Sequence, residues 1–116
     1  MADWSEHVTL RTLADEPQLS EEIALITEQV SSAPLRTARH VVLNFSAVTY
    51  ISSSHLAQML RLRKRLADHG RSLVLCSLSD QLWSVLMLTG LDRVFRHATD
   101  VQTAVTSLQL ESGAGG

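Results

Sequence analysis

The sequence predicts a layered α/β domain built on a mostly parallel sheet of four or five short strands. Two observations carry that expectation. Two nearly continuous aliphatic runs, "HVVLNF" (40–45) and "SLVLCSL" (72–78), have the character of strands buried on both faces. Strand-like and helix-like segments also alternate as β-α-β-α-β-α-β-α, the order that parallel strands joined by helical crossovers require. At 116 residues the chain is long enough for one core and too short for two. Residues 1–110 are read as a single domain and 111–116, "ESGAGG", as a flexible tail.

The elements follow in order. "HVTLRTL" (7–13) alternates imperfectly through Val8, Leu10 and Leu13 and reads as the first strand. After the turn-like "ADEPQ", Ser20 followed by Glu21 and Glu22 reads as a helix start. A hydroxyl can take an orphan N–H there, and acids favour the positive helix end. Ile23, Ile26 and Val30 mark its buried face, and Pro34 stops it. The second strand, 40–45, leads through "SAVTYI" into three serines. Beyond them Leu56, Met59, Leu60, Leu66 and Ala67 mark a helix face that Gly70 ends. A third strand follows at 72–78. Ser79 and Asp80 then cap a helix carrying Leu82, Val85, Leu86 and Leu88, with Gly90 at its C-terminus. "RVFRH" (93–97) reads as a last short strand. Thr99 and Gln102 have the spacing of a capping box for a final helix through Val101, Ala104, Val105 and Leu108.

Composition narrows the function classes. Hydrophobic residues make up 45% and charged residues 19%, which suits a globular fold, and a net charge of −2 gives no global pull toward nucleic acid or an anionic membrane. Cys76 is the only cysteine, so there is neither an intrachain disulfide nor a cysteine-based zinc site. No signal peptide is recognised and "QLWSVLMLTGL" is too short to span a bilayer, so the expected compartment is the cytoplasm.

The residues that could carry chemistry converge on "TYISSSHLAQML" (49–60). A strand ending near Ile51 and a helix beginning near His55 would put the hydroxyls of Ser53 and Ser54 at a helix N-terminus. Unpaired N–H groups there point outward in a positive field. A plain N-cap is one reading. Phosphorylation is the other, because a phosphoserine adds roughly −1.5 to −2 charges at a place suited to anions. A Ser/His nucleophile pair lacks a third group to orient the base and lacks the G-x-S-x-G elbow, so no catalytic residue is assigned. His7, His40, His55, His69 and His97 show no H-x-x-x-H spacing, and neither a Walker loop nor a G-x-G-x-x-G is present. No metal or cofactor is expected. His55, in a first helical turn, is expected to stay neutral. In "RLRKR" (61–65), Arg61, Lys64 and Arg65 form either a solvated helix face or a docking surface for an acidic partner. Trp83, one position off its apolar stripe, is either partly buried or a partner contact.

Two stretches then resemble a known family. "HVVLNFSAVTYISSSHLAQMLRLRKRL" is similar to an aliphatic strand, a Val-x-aromatic-Ile step and an Asp-Ser-Ser-Gly-Leu helix start. "LVLCSLSDQLWSVLMLTGLDRVFRHATDVQTAV" is similar to a strand, a helix, an "L-x-G-L-x-x-x-F" turn and a final helix. Together they resemble the STAS domain family, the sulfate-transporter and anti-sigma-factor-antagonist domains of bacteria, over roughly residues 40 to 105. The resemblance implies a small mixed sheet with about four helices packed mainly on one side. In the antagonist branch a serine kinase that is also an anti-sigma factor phosphorylates the second serine of the motif. The unphosphorylated antagonist binds that kinase and frees the sigma factor, and a phosphatase resets the cycle.

Laid on this chain, the second serine is Ser54 and the first Ser53. The motif's Asp is Ser52, its Gly is His55, and the usual Asp of the preceding strand is Asn44. One strand is recognised before the first helix where the family commonly has two. The implied function is a regulatory protein without catalytic groups of its own, switched by phosphorylation at Ser54 and, failing that, at Ser53. Its partner-binding surface would hold Ser52, Ser53, Ser54, His55, Gln58, Arg61 and Arg65. The implied partner is a protein, a serine kinase/anti-sigma factor, with no direct nucleic-acid contact and no membrane insertion. Homodimerisation stays open. The alternative is a STAS module that is never phosphorylated and serves as a scaffold or accessory subunit of a signalling or transporter complex.

Overall fold

A computed structural model describes residues 8–34 and 37–115, with side chains to residue 110. The elements are β1 (Val8–Ala14), α1 (Gln18–Ser32), β2 (His40–Ala47), α2 (Ser53–Asp68), β3 (Leu73–Cys76), α3 (Asp80–Thr89), a 3-10 turn (Leu91–Arg93), β4 (Arg96–Ala98) and α4 (Val101–Gly115). The sheet order is β1-β2-β3-β4, with every neighbouring pair parallel. Val42 sits beside Leu10 on one side and Val74 on the other.

This order fixes where the helices go. Each strand lies next to the one before it, so crossovers of one hand fall on one face. α1, α2 and α3 all pack there, against Leu13, Val41, Leu43, Leu73 and Leu75. α4 follows the last strand, crosses nothing, and covers the opposite face. Its Ala104, Val105 and Leu108 meet Val8, Val42, Val74 and Cys76. Side chains alternate along a strand, so both faces of β2 and β3 need apolar residues, which explains the unbroken aliphatic runs.

Several expected details are corrected. α1 starts at Gln18, not Ser20, with Pro17 at the N-cap position and no side-chain cap bond from it; Ser20 N–H is satisfied instead by Glu16 Oε1 at 3.0 Å, which also accepts from the Ser20 hydroxyl at 2.9 Å. At α4 the cap is Asp100, whose carboxylate accepts from Thr103 N–H at 2.7 Å, rather than a Thr99–Gln102 box. The buried face of α2 runs through His55, Leu56, Met59, Leu62 and Leu66, while Leu60 is 37% exposed and Ala67 lies on the outside. Leu88 is 87% exposed. The 3-10 turn takes the start of "RVFRH", so β4 begins only at Arg96. His7 and the side chains of 111–116, the segment expected as a tail, lie outside the described residues.

Ser79 caps α3 by accepting from Leu82 N–H at 3.1 Å, and Gly90 closes it with φ +77°. A Cβ at Gly90 would meet nothing within 4 Å, so the cost of a side chain there is conformational alone. Gly90→Ala is therefore expected to lower stability by about 1 kcal/mol through the left-handed backbone. Urea unfolding with an unchanged m-value and a lower midpoint would check this.

Candidate functional site

The serine corner lies at the C-terminal edge of the sheet, the edge where open α/β folds present their ligand- and partner-facing loops. β2 ends at Ala47, residues 48–52 turn across the edge, and α2 begins at Ser53, two residues earlier than the sequence suggests. Ser52 is the N-cap, with φ −101° and ψ 173°. Ser53, Ser54 and His55 are thus the first three helical residues.

Ser52 and His55 form a reciprocal cap. The Ser52 hydroxyl accepts from His55 N–H at 3.4 Å, and His55 Nδ1 accepts from Ser52 N–H at 2.9 Å. The imidazole does here what a Glu or Gln side chain does in the usual capping box. With the cap supplied by Ser52, the exposed hydroxyls of Ser53 and Ser54 make no hydrogen bond among the described residues.

A second clamp comes from the turn after β1. Asp15 accepts from Thr49 N–H at 2.9 Å and from the Thr49 hydroxyl at 2.7 Å, which fixes the loop entering α2. Glu16 Oε2 lies 2.7 Å from His55 Nε2. Because Nδ1 of this ring accepts a backbone N–H, its proton sits on Nε2 and is donated to Glu16. His55 is 3% exposed and is the one polar residue buried among the described residues. It turns inward, under the helix start, and leaves the outer surface to Ser53 and Ser54.

Both carboxyls titrate below their ordinary range. The Thr49 hydroxyl and amide hold Asp15 down, and the Ser20 amide followed by the His55 ring does the same for Glu16. A carboxyl whose pKa is lowered by folding adds stability above its unfolded value, about pH 4, and that stability is lost as pH falls through the folded value. The melting temperature should accordingly fall on acidification below about pH 5, with a shallower slope in Glu16→Gln and in Asp15→Asn. Equal slopes in all three proteins would sink this assignment.

The remaining expected residues divide. Gln58 is half-buried and donates to Ser20 O at 3.1 Å, binding α2 to α1, while its Oε1 is buried with no partner among the described residues. Arg61 and Arg65 are exposed and continue the stripe that starts at Ser54 and Ala57. Lys64 pairs with Asp68 at 3.3 Å on the surface, an arrangement of little energetic consequence. Trp83 is half-buried, with its ring 4.4 Å from that of His97 at 61°. Asn44 closes a small turn at the end of β2 by accepting from Ser46 N–H at 3.1 Å.

Three participants escaped sequence reasoning. Asp15 and Glu16 read locally as turn residues, and only the β1–β2 pairing brings them to the serines. Tyr50, 63% exposed on the loop before Ser52, carries no periodic signal at all. Among the described residues there is no group of three His, Cys, Asp or Glu able to hold a metal ion, and no helix long and apolar enough to cross a membrane.

Comparison with known proteins supplies the context. The model of the STAS domain matches residues 9–104. Among solved structures, an anti-sigma-factor antagonist (STAS) domain protein from Planctomyces limnophilus is similar with a TM-score of 0.74 and 21% identity, over 88% of this chain and 91% of that one. A putative anti-sigma factor antagonist from Thermotoga maritima has a TM-score of 0.69 and 21% identity, over 94% of this chain and 91% of that one. A sulfate transporter family protein from Wolinella succinogenes has a TM-score of 0.72 and 15% identity, over 89% of this chain and 85% of that one. The family match covers most of the chain, and the topology agrees with it: the protein belongs to the STAS domain family.

Proposed function

We propose that this protein is a cytoplasmic partner switch of the anti-sigma-factor-antagonist type, bound by a serine kinase/anti-sigma factor and released when Ser54 is phosphorylated. The observation that carries the reading is the presentation of Ser54. Its hydroxyl is exposed and uncommitted at the second position of a long helix whose start is locked by Ser52, His55, Glu16 and Asp15. A hydroxyl in that position can enter a kinase active site without local unfolding. The imidazole that replaces the motif's glycine points into the protein, so the approach to Ser54 stays open. Catalysis would belong to the partner, which brings ATP and Mg²⁺. Both ring nitrogens of His55 are engaged with Ser52 and Glu16, which leaves Ser54 without a base.

The partner's footprint in this reading is the Ser53–Ser54 edge, Tyr50 and the exposed stripe through Arg61 and Arg65. Ser52, His55 and Gln58 support that surface from beneath. Phosphate on Ser54 would add a dianion at the centre of the footprint and disfavour a desolvated or acidic partner surface.

Peptide mapping by mass spectrometry of the protein taken from its own host, in growth and in stress, tests the reading over residues 40–65. Phosphate localised to Ser54 is the expected result. An unmodified peptide in every condition would overturn it in favour of a constitutive interaction module, the reading that the replacement of the motif's acid by Ser52 favours.

A further inference from the structure

We propose that a cleft at the opposite edge of the sheet from the serines binds a phosphate group, as free phosphate or as the terminal group of a small phosphate monoester. The cleft has a volume of about 240 Å³ and is lined by Arg63, Arg71 and Arg96, together with Ser72 and the start of β3. Three arginines line it, and among the described residues no Asp or Glu does. On a chain of net charge −2, that is a local reversal of sign.

Two of the arginines are held in place. Arg63 Nε donates to Val94 O at 3.1 Å, which ties α2 to the segment before β4. Arg71 Nε donates to Ala38 O at 2.9 Å and its Nη1 to Gly70 O at 3.1 Å. These bonds orient the guanidinium planes and use only some of their five N–H donors. Both Nη groups of Arg63 and the Nη2 of Arg71 keep donors uncommitted among the described residues. Arg96, the first residue of β4, lines the cleft as well, but its guanidinium is turned toward α4, where Nη2 lies 3.5 Å from Ser107 Oγ, so Arg63 and Arg71 carry the site.

The C-terminus of α2 would ordinarily repel an anion. Two of its last carbonyls are already taken, however: Leu66 O accepts from His69 and Arg71 N–H, and Ala67 O accepts from Gly70 N–H. The pre-oriented guanidinium forks of Arg63 and Arg71, with spare donors and no Asp or Glu among the described lining residues, match a tetrahedral dianion, and their ordering cost is met before any ligand arrives.

Titrating the ¹⁵N-labelled protein with inorganic phosphate and, in parallel, glycerol 3-phosphate would test this by NMR, against sodium chloride at matched ionic strength. The expected result is saturable shifts of the amides of residues 70–73 and 94–96 and of the arginine Nε–H signals, with affinity at least tenfold weaker in Arg63→Gln. Tighter binding of the ester than of phosphate would mark a monoester site, and equal binding a free-phosphate site. Each variant removes one backbone bond, Arg71→Gln that to Ala38 O and Arg63→Gln that to Val94 O; Arg63 is the more exposed, so Arg63→Gln, with a spectrum unchanged outside the cleft, is the deciding variant. Shifts that do not saturate, that chloride reproduces, or that Arg63→Gln leaves unchanged would overturn the proposal.

Discussion

Replacing His55 by alanine is expected to lower folding stability by about 2–3 kcal/mol, a melting-temperature drop of about 8–15 °C for a domain of this size. Three losses combine. The imidazole is 3% exposed, so its removal leaves a void under the start of α2. Ser52 N–H loses its acceptor, which undoes half of the reciprocal cap. Glu16 loses the N–H that its Oε2 accepts, and with it the link between the β1 turn and the helix. His55→Gln separates these contributions. A glutamine at the third helical position can still accept from the N-cap amide, so this variant should recover part of the lost stability. His55→Gly, which installs the glycine of the motif this stretch resembles, should be at least as damaging as alanine, because it adds backbone entropy to the same void. Chemical unfolding of the three variants checks the order. A glycine variant as stable as the parent would mean that the imidazole is dispensable and that the clamp holds nothing.

That clamp also marks where sequence reasoning stopped. "HVVLNF" and "LVLC" were legible because strands buried on both faces cannot hide their aliphatic content, and the β-α alternation then left few arrangements open. The serine corner was legible in part because caps are local: a hydroxyl-rich helix start shows in the residue types, but it was read onto Ser53 and Ser54, whereas Ser52 with His55 forms the cap. Glu16 was not, since its contact with His55 spans 39 residues and depends on β1 lying parallel beside β2. The same holds for Asp15 and Thr49, 34 residues apart. Leu62 was missed because it sits inside "RLRKR", where basic neighbours mask a buried position, and Leu60 was misplaced because one residue's rotation along a helix moves a side chain by about 100°. Ser20 and Thr99 were read as caps by residue type, yet the carboxylates of Glu16 and Asp100 do that work. A capping oxygen is selected by the path of the chain into the helix, which the residue type alone does not encode. The arginines around the cleft show the same limit. Arg63, Arg71 and Arg96 are scattered along the chain, and α2 and two strand starts assemble them.

If the proposed partner switch holds, Ser54→Asp is expected to weaken binding of the proposed kinase/anti-sigma partner by a hundredfold or more, about 3 kcal/mol, while Ser54→Ala stays within a few-fold of the parent. The contrast isolates charge from contact. Both variants remove the same exposed hydroxyl, which makes no hydrogen bond among the described residues, so the lost contact is common to both. Only aspartate places an anion in the centre of the proposed footprint. Folding stability should move the other way. An acid in the first turn of α2 meets the positive end of the helix dipole, so Ser54→Asp should be as stable as the parent or more so by about 0.3–1 kcal/mol. Weaker binding by a protein that is no less stable cannot be assigned to unfolding of the corner. Binding measured by calorimetry beside thermal melts of the same samples reads both quantities. If Asp and Ala weaken binding equally, the site responds to shape and not to charge, and the protein acts as a constitutive interaction module. If Asp alone releases the partner, the locked corner is a phosphoswitch, with Ser52, His55, Glu16 and Asp15 holding the helix start still while charge at Ser54 decides whether the partner stays.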